Sequence, residues 1–339
     1  MMQTEIAIWF PTVKCETGTD IFTINLVKAL NEQGIRAEIT WLPLRAEYAP
    51  WTVKIPQPPE WATVVHISTW LHPRFIPKDL PVIATLHHSI HDDALTPYKG
   101  WLRAAYHRYW IRHIEHATMQ RANKVIAVSQ FASQIAKKKV INTPIDVIYN
   151  GIYTQLYQPP KDRKSNHPFR LLYVGGWKTL KGIDLFPSIM KELGHDFVLY
   201  YTGGANAESD KSTMPNNMID IGRLNEAQVI NAMQEADALL FPSRSEGLSL
   251  TVLEAMSCGL PVIATRGSSL TEVIIDGENG ILCKQDSVAD FSQAARKLAN
   301  NEAFYFSCSN KNHLRVIQKF SFETMCTSYI HLYRELNHM

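Results

Sequence analysis

The most informative stretch of this chain is Phe241-Pro-Ser-Arg-Ser-Glu-Gly-Leu-Ser-Leu-Thr-Val-Leu-Glu-Ala-Met-Ser-Cys-Gly-Leu-Pro-Val-Ile-Ala264. A strand is predicted to end near Phe241, a loop that contains a glycine follows, and a helix is predicted from about Leu250. Gly259 and Pro261 are residue types that end a helix before the next strand. Strand, loop, helix and strand in this order indicate a parallel sheet covered by helices.

The same alternation extends along the rest of the chain. Before residue 160 the strand-like runs are residues 6–10, 37–42, 64–67, 82–86, 125–128 and 146–148, and the helical stretches are residues 20–33 and 102–121. After residue 168 strands are predicted at 171–174, 198–202, 219–221, 238–241, 262–264 and 280–283, with helices from about 183, 226 and 252 and an amphipathic helix at 322–336. The pattern predicts two doubly wound α/β domains.

A polar, proline-rich segment separates the two predicted domains, Pro159-Pro-Lys-Asp-Arg-Lys-Ser-Asn-His-Pro168. Because a helix or a strand could hardly pass through it, we place the domain boundary at 160/161. The length of 339 residues also favours two domains, since a single core usually stops growing at roughly 250–300 residues. Doubly wound sheets bind ligands at the carboxyl ends of their strands, so we expect the ligand in the crevice between the domains.

The composition is that of a soluble globular protein, with 45% apolar and 19% charged residues. The apolar runs are far shorter than the ~18 residues of a membrane span, and no secretory signal precedes the first strand, so a cytoplasmic protein is expected. The five cysteines are odd in number and contain no C-x-x-C pair. We expect reduced thiols and neither a disulfide framework nor a zinc ribbon.

Charge and tryptophan are unevenly distributed. Residues 1–160 carry 16 Lys and Arg against 12 Asp and Glu, whereas the remainder carries 18 against 20, and seven of the eight tryptophans lie before residue 160. In this half, Trp101-Leu-Arg-Ala-Ala-Tyr-His-Arg-Tyr-Trp-Ile-Arg112 mixes basic and aromatic residues at helical spacing. Such a helix could contact a membrane or an anionic lipid. A helix half buried in its domain, with solvated arginines, would give the same pattern.

The sequence does not fit a dinucleotide-dependent dehydrogenase. Such an enzyme needs G-x-G-x-x-G after its first strand, whereas this chain has Phe10-Pro-Thr-Val-Lys-Cys-Glu-Thr-Gly18. A second candidate, Gly203-Gly-Ala-Asn-Ala-Glu208, lacks the last glycine of the motif. No cofactor is therefore expected.

The loop and helix of the 241–264 stretch suit a ligand that combines phosphate with sugar. The start of a helix exposes N–H groups and a partial positive charge, which favour phosphate. The carboxylates of Glu246 and Glu254 can accept hydrogen bonds from sugar hydroxyls. Two other interpretations need no ligand: Thr251 and Glu254 fit a capping box, and Glu246 could be a solvated loop carboxylate.

Glu246 and Glu254, embedded in P-S-x-x-E-G and E-A-M-x-C-G-x-P-V-I-A, resemble the signature of the retaining family 4 glycosyltransferases of GT-B fold. The resemblance covers nearly the whole chain, through Thr85-Leu-His87, Val128-Ser129, Asn150-Gly151, Gly175, Lys181-Gly182, Ile221-Gly-Arg-Leu224, residues 271–280 and Phe320-Ser-Phe322. It implies two Rossmann-like domains, residues 1–160 on the acceptor side and 161–320 for the nucleotide sugar. Residues 321–339 would form a helix that packs back on the first domain.

The resemblance also implies a role for each site residue. Glu246 would bind hydroxyls of the transferred sugar, Glu254 the ribose hydroxyls and Lys181 the diphosphate. His87 would lie near the donor sugar, and no metal is expected to be essential. Further donor contacts are implied for Gly18, Lys178, Arg223, Leu224, Gly247, Leu248, Ser249, Leu250 and Thr251.

Two positions depart from the family pattern. Where the family usually has V-G-R before its lysine, this chain has Val174-Gly175-Gly176, so an arginine expected on the leaving diphosphate is absent. Lys178 could replace it, or could be an ordinary surface lysine. In the helix-start loop, Ser249 stands where glycine is frequent, which narrows the backbone freedom slightly.

A cluster of three histidines and two acids, His87-His-Ser-Ile-His-Asp-Asp93, raises the question of a metal. Its spacing matches no metal motif such as H-E-x-x-H, so nothing in the sequence forces these side chains to converge. A histidine that packs at a strand end is the simpler interpretation of His87. Gly18, in the first strand-to-helix loop, could let the backbone approach the donor or could be a plain turn glycine.

The resemblance implies transfer of a sugar from a nucleoside diphosphate sugar to an acceptor hydroxyl with retention. The acceptor would be a saccharide or a lipid-linked saccharide in bacterial polysaccharide, lipopolysaccharide or glycolipid assembly, in the cytoplasm with a possible peripheral membrane contact through the first domain. Two alternatives stay open. A 2-epimerase or a phosphorylase could share the architecture, and so could a silent protein that binds the sugar nucleotide without turnover.

Overall fold

The computed structural model describes residues 6–15, 17–88 and 90–337. The chain divides into two compact units, one formed by the residues up to Tyr149 together with those from Glu323 onward, and the other by Asn150–Phe322. We call them unit 1 and unit 2. None of the helices within the described residues has the length and apolar character that a membrane span needs.

Unit 1 is built on a six-stranded parallel sheet in the order β2-β1-β3-β4-β5-β6. Its strands are β1 (Ala7–Val13), β2 (Arg36–Leu42), β3 (Val64–Ser68), β4 (Val82–Leu86), β5 (Lys124–Ala127) and β6 (Asp146–Val147). Its helices are α1 (Gly18–Glu32), α2 (Arg45–Tyr48), α3 (Trp101–Ala105), α4 (Arg112–Arg121), α5 (Gln130–Lys139) and α12 (Phe322–Asn337), and a π-helical turn (Tyr106–Ile111) joins α3 to α4. Short 3-10 turns complete the connections.

Unit 2 repeats the architecture, with strands in the order β12-β11-β10-β7-β8-β9 and every pairing parallel. The strands are β7 (Phe169–Tyr173), β8 (Phe197–Tyr201), β9 (Met218–Asp220), β10 (Ala238–Phe241), β11 (Val262–Thr265) and β12 (Gly280–Cys283). The helices are α6 (Phe186–Leu193), α7 (Glu226–Glu235), α8 (Leu250–Ser257), α9 (Leu270–Val273), α10 (Val288–Asn300) and α11 (Glu302–Lys319).

The central strands are apolar on both faces because helices cover both. All four residues of β10, Ala238–Phe241, are buried, and so are all five of β4, Val82–Leu86. Strands buried on both faces read as continuous apolar runs, which is why they were predictable from sequence. The predicted α/β class with two doubly wound sheets is confirmed.

Each sheet has a topological switch point, where the connections that follow two neighbouring strands lead to opposite sides of the sheet. In unit 1 this switch lies between β1 and β3, and in unit 2 between β7 and β10. The loops that follow such strands diverge to opposite faces and leave a crevice at the carboxyl ends. The sequence motif at 241–264 begins in the loop after β10, directly at the switch of unit 2.

The last helix, α12, is anchored in unit 1 by buried tyrosines. The hydroxyl of Tyr333 lies 2.6 Å from Nδ1 of His66, whose Nε2 lies 2.7 Å from Oγ1 of Thr85. Tyr329 reaches the same threonine hydroxyl at 3.2 Å. Buried polar atoms that satisfy one another in this way fix how a helix sits on its sheet.

The boundary between the two units lies between residues 149 and 150, whereas the sequence analysis predicted it between residues 160 and 161. Residues between these positions are bonded within unit 2: Ile152 forms a bridge with Ser321, and Oγ of Ser257 donates to the carbonyl of Tyr157 over 2.7 Å. In the proline-rich segment, Arg163 donates to the carbonyls of Ala236 and Cys258. The segment has no regular structure, but its polar groups attach it to unit 2.

Candidate functional site

The crevice of unit 2 is formed by the loops after β7 and β10. The first loop carries Lys181 in a 3-10 turn, Thr179–Lys181, and the second carries Glu246. Gly182 ends the turn with φ at +74°, and a Cβ there would collide with the backbone carbonyl of Pro242. Only glycine combines this left-handed backbone with so close an approach, so Gly182 is what allows the two loops to touch.

Lys181 and Glu246 form an ion pair in this crevice. Nζ of Lys181 lies 2.6 Å from Oε1 of Glu246, and Oγ of Ser243 donates to the same carboxylate oxygen over 2.6 Å. The backbone N–H of Glu246 donates to Oγ of Ser268 over 3.2 Å. Both charged side chains are only partly buried, so a ligand that offers phosphate to the lysine and hydroxyls to the carboxylate can reach them.

Arg244 holds the two loops together, and the sequence analysis did not identify it. Its guanidinium is buried, makes a bidentate pair with Asp184 at 2.8 Å for both bonds, and donates through Nε to Asp286 over 2.7 Å. It also donates to the carbonyl of Thr179, in the turn that carries Lys181. A planar guanidinium can serve several acceptors at fixed angles, so Arg244 sets the spacing between Lys181 and Glu246.

Glu254 is the fifth residue of α8, about one turn after its start. The helix begins after Ser249, whose hydroxyl accepts the N–H of Val252 over 3.4 Å. Thr251 is therefore inside the helix, and the capping box that Thr251 and Glu254 could have formed is not the arrangement observed. Ser249, the residue that stands where glycine is frequent, serves as the helix cap.

The environment of Glu254 favours its neutral form. Burial raises the pKa of this carboxyl from its ordinary 4.5 to about 7, the charge of Glu226 acts in the same direction, and a hydrogen bond with Tyr157 opposes the shift. A carboxyl held this way gains most from a ligand that donates hydrogen bonds to its ionised form. Vicinal hydroxyls of a sugar are such donors.

The other predicted donor-binding residues of unit 2 lie at the start of α8 and in the loop after β9. Gly247, Leu248, Leu250 and Thr251 form the entry to α8, where the first N–H groups have no partner within the helix. Arg223 and Leu224 follow β9, in a loop whose geometry depends on Asp220. The carboxylate of Asp220 accepts the N–H groups of Gly203, Gly204 and Gly222 at 2.9–3.1 Å, a role that the sequence gave no reason to expect.

The loop after β7 contains the position of the missing arginine. A Cβ built on Gly176 meets no atom within 4 Å, whereas one on Gly175 would contact the hydroxyl of Tyr173 at 2.8 Å. Lys178 is exposed and starts the turn that carries Lys181. The structure therefore has room for a side chain at position 176, and Lys178 stays a candidate for its role.

His87 and Gly18 lie in unit 1. His87 follows β4 and packs edge to face on Phe22, with ring centroids 4.7 Å apart. Burial and the neighbouring histidines, His88 before His66, hold its pKa well below 6.5, so the imidazole is neutral as the hydrogen-bonding role requires. Gly18 is the first residue of α1, and a Cβ there would meet no atom within 4 Å.

The remaining members of the histidine cluster point to different partners. Nε2 of His91 lies 2.6 Å from the buried carboxylate of Glu115, Asp93 pairs with Lys139 at 2.7 Å, and His88 packs beside Trp70. Ser89 lies outside the described residues. Within residues 6–15, 17–88 and 90–337 no group of three metal-ligating side chains comes close enough to hold an ion.

Unit 1 has a crevice of its own at the switch between β1 and β3. A cavity of about 170 Å³ there is lined mostly by apolar surface, with a few polar and aromatic side chains: Thr12, Asp20, Glu47, Ser68, Trp70 and His88. The carboxylate of Glu47 accepts the hydroxyl of Tyr106 over 2.9 Å. Aromatic surface beside carboxylates suits a sugar ring, which has apolar faces and hydroxyls at its edge.

Two family models match the chain. The model described as glycosyl transferases group 1 matches residues 157–315, and the model described as glycosyltransferase family 4 matches residues 58–156. An uncharacterised glycosyltransferase of Methanocaldococcus jannaschii is 30% identical over 261 residues, which are 76% of this chain and 69% of the relative. Together these matches span both units.

Two solved structures show the same fold at low sequence identity. Sucrose-phosphate synthase from Thermosynechococcus elongatus superposes with a TM-score of 0.79 at 17% identity, covering 97% of this chain and 98% of that chain. HepE of Anabaena, solved with UDP and glucose, superposes with a TM-score of 0.76 at 16% identity, covering 96% and 99%. Both cover both units, as the GT-B prediction requires.

Replacing Arg244 should show what the guanidinium contributes. In Arg244→Lys one ammonium cannot serve both Asp184 and Asp286, so we expect the free energy of unfolding to fall by about 1.5–3 kcal/mol, the contribution of hydrogen bonds to charged groups. Urea unfolding measures it. Arg266→Lys is the matched control, because the Arg266–Asp276 pair is exposed and such pairs contribute ~0–1 kcal/mol. Equal effects of the two substitutions would contradict the assignment.

Glu254 should also give the protein a characteristic pH dependence. Between pH 4.5 and about 7 the folded state keeps a proton on this carboxyl that the unfolded chain has lost, so stability falls as the pH rises. Over this interval the free energy of unfolding of Glu254→Gln should fall by up to about 3 kcal/mol less than that of wild type, because each pKa unit corresponds to 1.36 kcal/mol. Urea unfolding at a series of pH values measures it, with exposed Glu192→Gln as the control. Parallel profiles for wild type and Glu254→Gln would contradict the raised pKa.

Proposed function

The chain belongs to the group 1 glycosyltransferases, and from that premise we propose that it moves a hexose-type sugar from a nucleoside diphosphate sugar to an acceptor hydroxyl with retention at the anomeric carbon. The observation that carries the proposal is the Lys181–Glu246 pair at the start of α8, at the switch of the unit 2 sheet. It brings a cation, a carboxylate and the N–H groups of the first turn of α8 to the carboxyl end of the same sheet. A sugar diphosphate needs these three groups together.

The donor would exchange partners with the ion pair. Its diphosphate takes the ammonium of Lys181 and the first amides of α8, and hydroxyls of the transferred sugar donate to Glu246. Ribose hydroxyls donate to Glu254, and a carboxyl with a pKa of about 7 can ionise when it gains these hydrogen bonds. HepE, which shares the fold, was solved with UDP and glucose, and this supports a donor of the same class.

Retention would follow a same-face route. The acceptor oxygen attacks the anomeric carbon while the bond to the leaving phosphate breaks, and the hydroxyl proton passes to the leaving phosphate oxygen. A double displacement needs a pair of carboxyl groups at the anomeric carbon, and in this proposal Glu246 is already engaged with hydroxyls of the transferred sugar. The charge that develops on the diphosphate is stabilised by Lys181 and the helix amides, with no metal required.

The acceptor would occupy the crevice of unit 1, with Trp70 against a ring face and Asp20 or Glu47 accepting from its hydroxyls. His87, neutral and at the end of the neighbouring strand, would donate to or accept from a hydroxyl of the transferred sugar. A saccharide or a lipid-linked saccharide fits these groups. We place the reaction in the cytoplasm, in the assembly of bacterial polysaccharide, lipopolysaccharide or glycolipid.

The two glutamates should differ in what they bind. Glu254→Gln should weaken binding of the free nucleoside diphosphate by ~1–3 kcal/mol, since charge-assisted hydrogen bonds to the ribose are lost. Glu246→Ala should leave that affinity nearly unchanged and sharply lower turnover, because its partner is the sugar. Titration calorimetry with UDP, ADP and GDP measures the affinities. An equal loss in both variants would refute this division of roles.

Hydrolysis of a panel of nucleotide sugars tests the proposed reaction without a known acceptor. Wild type should slowly cleave at least one donor, and Lys181→Ala should be ~10²-fold or more slower, as when one preorganised donor to a developing anion is removed. Lys178→Ala tests whether Lys178 takes the place of the missing arginine. A ~10-fold lower rate of donor cleavage, or about 1.4 kcal/mol of activation free energy, would indicate that Lys178 contacts the phosphate.

Gly176→Arg is the complementary variant, because its side chain has room and would restore the family's arginine. Added to Lys178→Ala, it should restore part of the lost rate of donor cleavage if the lysine and the new arginine reach the same phosphate. Conversion of a donor to its epimer, a requirement for inorganic phosphate, or binding without any turnover would instead identify an epimerase, a phosphorylase or a silent binder.

A further inference from the structure

A second cavity of unit 1 lies away from the crevice that we assign to the acceptor. It has a volume of about 370 Å³ and is formed where the π-helical turn and α4 meet the segment after β4. We call it the basic pocket and define it by the cations Lys99, Arg108, Arg112 and Lys139 and by His107. Nothing in the proposed transfer reaction uses it.

Only some of the charged side chains that line the basic pocket form ion pairs. Two carboxylates also line it: Asp93 is bonded to Lys139 at 2.7–2.8 Å, and Asp92 accepts the N–H of Ala94 at the start of a 3-10 turn. Arg108 and Arg112 are exposed and form no ion pair or hydrogen bond within the described part of the chain. Two guanidinium groups are therefore available to an anion.

His107 supplies an independent sign of a ligand. Its side chain is 8% exposed, lines the basic pocket, and has an Nδ1 atom without a hydrogen-bond partner in residues that the structure describes. Burial, followed by the nearby charge of Lys99, lowers the pKa of the imidazole to about 4, so the ring is neutral. Buried polar atoms are nearly always satisfied, and an oxygen-rich ligand in the basic pocket would provide the missing bond.

Apolar side chains flank the basic pocket on the same helical segment. Trp101, Leu102 and Tyr109 are 78%, 66% and 73% exposed. Single exposed apolar residues are ordinary, but three within nine positions, interleaved with Arg103, Arg108 and Arg112, form the combination found at membrane interfaces. Arginine can lay its aliphatic part along such a surface while its guanidinium stays with the head groups.

We propose that the basic pocket binds the phosphate of an anionic lipid head group while Trp101, Leu102 and Tyr109 enter the interface. Phosphate is favoured over a carboxylate because two arginines can each hold it through paired N–H groups, with the His107 ring completing the shell. The inference goes beyond the transfer reaction, since neither donor nor acceptor is needed for binding.

Vesicle sedimentation of the full chain tests the proposal without measuring activity. We expect binding to vesicles of phosphatidylcholine mixed with phosphatidylglycerol, weakening with salt, and none to phosphatidylcholine alone. Arg108→Gln with Arg112→Gln should weaken partitioning by roughly 25-fold, at about 5-fold per cation near the surface. Trp101→Ser with Leu102→Ser should also reduce it.

The matched control is Lys54→Gln with Lys78→Gln, which removes two exposed cations of unit 1 outside the basic pocket. It should leave partitioning close to wild type. An equal loss of vesicle binding in the control would mean that only net charge matters and would contradict a specific role for the basic pocket. Binding of soluble glycerol phosphate as tightly as vesicles would assign the basic pocket to a free phosphate ester and overturn the lipid.

Discussion

A single buried guanidinium sets the geometry of the unit 2 crevice. Arg244 belongs to the loop after β10, yet its acceptors lie in the connection between β7 and α6, at Thr179 and Asp184, and in the loop after β12, at Asp286. Parallel strands bring these loops to one edge of the sheet but do not fix their spacing. Arg244 does, because its rigid fork holds Asp184 through two bonds and Asp286 through Nε at fixed angles.

The site is held in a neutral, closed arrangement by its own charges. Lys181 and Glu246 compensate each other, so neither pays the cost of an unpaired charge in a partly buried place. In the transfer we propose, the donor separates them, and it does so at little cost because it offers an anion to the lysine and hydroxyls to the carboxylate.

Much of this could be predicted from sequence, for reasons that are local. The strands were found because burial on both faces leaves continuous apolar runs, and the motif at 241–264 because strand, loop and helix follow each other directly. Helices α5, α10 and α11 were not predicted, although Ser129, Ser287 and Asn301 cap them. The partners of Arg244 and the glycines bonded to Asp220 from the preceding loop could not be found, because contacts across 42–65 and 16–17 residues depend on the strand order.

The missing arginine at Gly176 fits a site that relies on its backbone. A helix start offers amides that need no rearrangement when charge develops, whereas a long exposed side chain would have to be ordered for each turnover. Lys181 is pre-ordered by the turn that Gly182 ends and by its bond to Glu246. In the proposed transfer, sugar hydroxyls replace the ammonium at Glu246, and the same ammonium then meets the diphosphate without being ordered again. One lysine held in this way can therefore supply what the family elsewhere obtains from a lysine and an arginine, at the cost of fork geometry on the phosphate.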